Sequence, residues 1–96
     1  MKDSENSISN LASNHIPHII SLFPNPAQNQ LSIECYTNDQ AGNIVIFDKE
    51  GRIYTSLSIV GSIVNISLES FEDGLYLLAL QINGTTFDIK RFIVSK

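Results

Sequence analysis

The chain has 96 residues, of which six are Lys or Arg, and it carries a formal charge of -4 with a pI near 4.9. That balance argues against a nucleic-acid partner, because neutralising phosphates takes clustered basic side chains. One domain fits in this length and buries only roughly 60–65% of its unfolded surface.

Residues 1–17 are rich in Ser and Asn with no sustained apolar period, which predicts a polar linker ahead of a domain over 18–96. No secretory signal is visible after Met1-Lys2, so the expectation is either a cytoplasmic protein or a piece of a longer one. Ile19 to Phe23 reads as a first strand that stops at Pro24-Asn25-Pro26, since proline cannot donate to a ladder. Gln30 to Tyr36 alternates, with Leu31, Ile33 and Cys35 inward. Asn43 to Phe47 is apolar on both faces, and Asp48-Lys49-Glu50-Gly51 turns the chain into Arg52–Ile59, where Ile53, Thr55, Leu57 and Ile59 are expected to share a face. Ile63 to Leu68 resumes alternation, and Phe71 in the connector that follows is expected to plug one end of the core.

Gly74 to Ile82 is the stretch around which the rest is predicted to assemble. Asp73-Gly74 precedes it, and Asn83-Gly84 supplies a two-residue hairpin turn after it. Tyr76, Leu78, Leu80 and Ile82 fall on one face, and Leu75, Leu77, Ala79 and Gln81 on the other. The second face is apolar enough to predict a mid-sheet strand, partly covered or offered to a partner; weak self-association through an exposed Leu77 and Ala79 is left open. Thr85 to Val94 is the last strand, with apolar residues on both faces toward its end. The spacing of strands and turns predicts an all-β fold, a seven-stranded antiparallel immunoglobulin-like β-sandwich, with a small open barrel as the alternative.

Candidate chemistry is sparse. Asp39, Asp48, Glu50, Glu72, Asp73 and Asp88 fall nearly all at predicted turns, where a carboxylate stabilises the bend without catalysis. Cys35 alternates with core positions and reads as a small buried hydrophobe; being alone, it forms no internal disulfide. His15-Ile16-Pro17-His18 has a generic spacing and no second ligand pair, so no metal or other cofactor is expected. The residues describe a noncatalytic β module attached to something else.

Four landmarks in order carry a resemblance: Leu22-Phe23-Pro24-Asn25-Pro26, then Ile46-Phe47-Asp48-Lys49-Glu50-Gly51-Arg52, then Gly74-Leu75-Tyr76, and a basic-aliphatic ending from Lys90 to Lys96. Residues 19–96 resemble the C-terminal sorting domain, type A, of the type IX (Por) secretion system of Bacteroidota. The resemblance implies a secretion signal on an N-terminal cargo domain, read by an outer-membrane translocon and a β-barrel shuttle protein and usually cut off by a surface sortase. It implies a secreted or cell-surface location. Carried over onto this chain, the sorting-motif residues are Pro24, Asn25, Pro26, Gly51, Gly74, Tyr76, Lys90 or Arg91, and Lys96. Recognition is expected in the terminal segment with Phe92, Ile93 and Val94, where an edge strand can add to a partner. The rival expectations are a carbohydrate-binding module, which the absence of Trp disfavours, and a plain spacer.

Overall fold

The computed structural model describes residues 16–96. Apart from Ile16 and Pro17, the predicted linker lies outside the described residues. The domain is all-β, with seven strands: β1 (His18–Phe23), β2 (Gln30–Tyr36), β3 (Gly42–Phe47), β4 (Ile53–Ile59), β5 (Ile63–Ser67), β6 (Gly74–Ile82) and β7 (Thr85–Val94). They form two antiparallel sheets, β1-β2-β5 and β4-β3-β6-β7. The core lies between the sheets, and alternation supplies it: Leu31, Ile33 and Cys35 from one, and Ile44, Ile46, Leu78, Leu80 and Phe92 from the other.

The predicted central strand is flanked on both sides, by β3 and β7. Its inward set, Tyr76, Leu78, Leu80 and Ile82, is buried as the alternation requires. At its far end Asn83 and Gly84 both take positive φ (53° and 80°), which is the backbone of the expected hairpin turn.

Two expectations need correction. Ala79 is not exposed: it is 1% accessible, because the methyl lies in the ladder between the larger Val45 and Ile89. Self-association through an exposed Ala79 therefore has no basis. Ile53 does not share the face of Thr55, Leu57 and Ile59 either. The register slips between Ile46 and Phe47, so Ile53 pairs with Phe47 and is 67% exposed, while Tyr54 turns toward the core aromatics.

Cys35 is buried, and burial first, then the negative charges of Asp88 and Glu34, push its thiol up to about 11. A thiolate is needed for attack. We expect Ellman's reagent at pH 8 to leave the native protein unmodified over minutes and to titrate Cys35 fully in denaturant; equally rapid native labelling would show that β2 opens.

Candidate functional site

The four sequence landmarks, far apart along the chain, meet at one end of the molecule. The ladder pairs Gly74 with Val94 and Phe47 with Leu77, so the end of β3, the start of β6 and the end of β7 are neighbours. Each landmark has a local physical cause.

Pro24, Asn25 and Pro26 are exposed and run past the outer edge of β7. The Asn25 side-chain oxygen accepts from the Ile93 N–H at 3.0 Å. Just beyond, the Ala27 N–H donates to the Ile93 carbonyl and the Ser95 N–H to the Ala27 carbonyl, both at 2.8 Å, in a short parallel bridge. A segment without proline N–H groups thus lends an amide side chain and one residue of backbone to the end of β7. This alters the expectation for the terminal strand, whose edge at Ile93–Ser95 is already paired within the chain.

The middle landmark is a tight turn. Gly51 takes φ +85°, which favours glycine, and its N–H donates to the Asp48 carbonyl at 2.9 Å. The Asp48 carboxylate accepts from the backbone N–H of Glu50 (2.9 Å) and Arg52 (3.0 Å) and from the Arg52 guanidinium (3.0 Å). Desolvation pushes the Asp48 carboxyl up, but these bonds and the Arg52 charge together outweigh it and hold the group below the usual carboxylate range. Asp48 therefore closes a turn, as the sequence predicts for its acids.

Gly74 enters β6 with φ +149°, and Tyr76, two residues on, is buried in an aromatic cluster. Its ring stacks on Phe92 (centroids 5.5 Å, planes 20° apart) and meets Phe71 edge-on at 5.1 Å and Tyr54 at 5.7 Å. The Tyr76 hydroxyl donates to the Glu72 carbonyl at 2.7 Å, while burial, with the neighbouring Tyr54 second, raises its pKa and so disfavours its ionisation. Phe71 closes this end of the core, as predicted.

The basic ending divides by face. Phe92 and Val94 point inward and are fully buried, so they are core residues first. Lys90, Arg91 and Ile93 are exposed, and Lys90 and Arg91 make no ion pair among the described residues. Arg91 lies opposite Leu77, Ile93 opposite Leu75 and Ile89 opposite Ala79. The outer face of the sheet accordingly presents Leu75, Leu77, Ile89 and Ile93, all exposed, around one guanidinium. Lys96 turns back: its N–H donates to the Asp73 carboxylate at 3.0 Å and its ammonium to the Glu69 carbonyl at 3.2 Å.

Sequence reasoning missed the partners that hold this end together, Asn25 with Ile93 and Asp73 with Lys96. Neither pair leaves a local signal, since their members lie 68 and 23 positions apart. It also missed Asp88, which lies within β7 and accepts the Ile19 N–H at 2.8 Å. No group of three or more His, Cys, Asp or Glu among the described residues is placed to hold a metal. His15 lies outside them, and His18 uses its Nδ1 on the Ile16 carbonyl at 2.8 Å.

Comparison with known proteins adds three findings. The family model described as the secretion system C-terminal sorting domain matches residues 21–95. Beta-agarase A of Zobellia galactanivorans is 30% identical over 64 residues, which are 67% of this chain and 12% of that protein, so the chain spans a small part of that curated relative. Two crystal structures of beta-glucosidase from Kluyveromyces marxianus, one in complex with glucose, align over 83% of this chain and 14% of theirs. Their TM-scores are 0.59 and 0.58 at 9% and 11% identity, a likeness of fold alone.

Proposed function

Because this chain belongs to the secretion system C-terminal sorting domain family, and so forms part of a secreted or cell-surface protein, we propose that it is a noncatalytic address carried by a cargo domain on its N-terminal side. Residues 1–17 are the tether to that cargo and residues 18–96 the signal, an immunoglobulin-like β-sandwich. The outer-membrane translocon and a β-barrel shuttle read it, and a surface sortase cuts within the tether.

The observation that carries this reading is the division of labour among the motif residues. Pro24, Asn25, Pro26, Gly51, Gly74, Tyr76, Phe92 and Val94 shape and close one end of the molecule, through turns, edge bonds and aromatic packing. Lys90, Arg91 and Ile93 are left in solvent beside an apolar face with no charged partner among the described residues. The Arg91 guanidinium in an apolar field, with Lys90 next to it in the strand but directed to the opposite face, suits docking on a protein surface that offers carboxylates among apolar side chains. The relative that carries a similar segment is named an agarase, and a glycoside-degrading enzyme is a fitting class of cargo.

The test fuses all 96 residues to a periplasmic reporter in a host with the secretion system. The intact fusion reaches the surface or medium, and Lys90→Glu/Arg91→Glu lowers export by about tenfold or more, a loss of roughly 1.4 kcal/mol in recognition. Thermal melting of the isolated chain stays within about 2 °C, as expected of exposed positions. An intact fusion retained in the periplasm would overturn the reading.

A further inference from the structure

The two margins of the molecule are finished differently. On one side β1 lies beside β7, where the Ile19 N–H is held by the Asp88 carboxylate at 2.8 Å. There β7 carries Lys90 and Arg91, a register slip between Leu80 and Gln81, and the Asn25–Ala27 segment over its end. Charges, bulges and covering segments are the usual protections of an edge strand against pairing with another chain.

On the other side β4 and β5 are the outermost strands of their sheets and carry none of these over most of their length. Ile53–Ile59 reads IYTSLSI and Ile63–Ser67 reads IVNIS, with no charge and no proline. The slip in β4 is confined to its start, so Thr55–Ile59 keeps a regular ladder. A cleft of about 510 Å³ opens between the two strands, with the half-buried Leu57 and Ile66 among its walls. An uncharged edge of regular backbone recognises an extended strand, since its unpaired N–H and C=O groups form a ladder template.

We propose that β4 is an interface for a second copy of this chain. The strands pair antiparallel about a two-fold axis through Leu57, merging two four-stranded sheets into one continuous sheet. The strand's own sequence names the occupant. In this register Leu57 faces the partner subunit's Leu57, and Thr55 faces the partner subunit's Ile59, all on the core side. Ser56 faces the partner subunit's Ser58 on the outer side. Apolar groups meet apolar or β-branched groups, hydroxyl meets hydroxyl, and no like charges oppose, which is the pairing that stabilises antiparallel strands. A strand carrying charge in the core-facing register would bury it against Leu57 and the cleft. The contact leaves the β7 margin free and stands independently of the sorting reading.

Sedimentation equilibrium of the full chain over a wide range of concentration tests it. The weight-average mass rises with concentration from that of one chain toward that of two. Ser56→Lys/Ser58→Lys, both at exposed positions, opposes like charges twice and weakens dimerisation by about tenfold or more. Ser56→Glu/Ser58→Lys opposes unlike charges in the same register and restores it to within about threefold of the parent. Circular dichroism of both variants checks that the monomer fold is retained. A mass that stays at one chain up to about 1 mM, the weak end of specific association, overturns the proposal. So does equal dimerisation of the two variants, which would place the contact elsewhere.

Discussion

Replacing Phe92 with alanine will lower the free energy of unfolding by about 3–5 kcal/mol, the range for truncating a buried aromatic side chain. The ring is fully buried, lies opposite Tyr76 in the β6–β7 ladder and stacks on it at 5.5 Å. Its loss leaves a cavity between two sheets that are tied together elsewhere and cannot collapse fully to fill it. Against a total stability of about 5–15 kcal/mol for a domain, and less margin in a small one, the change is large. Urea unfolding measures it as a lower midpoint at unchanged slope. A change below about 1 kcal/mol would mean that β7 does not pack as described. The same ring limits export experiments: removing Phe92–Lys96 deletes core along with surface, so a failure to export would not separate recognition from folding. Substitutions at Lys90 and Arg91 do separate them.

Tyr76 is the second large effect. Tyr76→Ala will cost about 3–5 kcal/mol, by analogy with other large buried aromatics. Tyr76→Phe will cost about 0.5–1.5 kcal/mol, because only the bond from its hydroxyl to the Glu72 carbonyl is lost. The double replacement of Tyr76 and Phe92 will fall short of the sum by about 0.5–1.5 kcal/mol, the direct interaction of two stacked rings. Strict additivity, measured by the same unfolding experiment, would refute the stack. Both outcomes bear on why a sorting motif contains Gly-Leu-Tyr: the tyrosine joins Phe71, Tyr54 and Phe92 into the plug that closes the motif-bearing end.

All seven strands are legible in the sequence because nearly every run of alternation is bounded by Gly, Pro, Asn or Asp, the end of β5 before Leu68-Glu69-Ser70 being an exception. Leu31, Ile33 and Cys35 on β2 follow the period-2 rule, as do Tyr76, Leu78, Leu80 and Ile82 on β6, where Ala79 is the one residue of the other face that is also buried. The rule fails where one residue is inserted. Counting in twos through Tyr54 puts Ile53 in the core, and only the pairing with β3 reveals the slip that turns it out. Exposure of Ala79 is misjudged for another reason, since a methyl is covered by whatever stands beside it and the neighbours belong to other strands. The candidate site is half legible. Its residues carry a family likeness, but their roles depend on contacts such as Asn25 to Ile93 that no local pattern encodes.

The bridge between Ala27 and Val94 has a consequence for when this end of the domain can form during synthesis. The opening motif is translated before β7, yet the Ile93 N–H that donates to Asn25 lies 68 residues downstream, next to the Phe92 ring that seals the interior. A nascent or prematurely terminated polypeptide lacking β7 therefore has neither a stitched margin nor a closed plug. Only a polypeptide that extends through Ser95 can form both, so the shape of this end is set by two segments from opposite extremes of the domain.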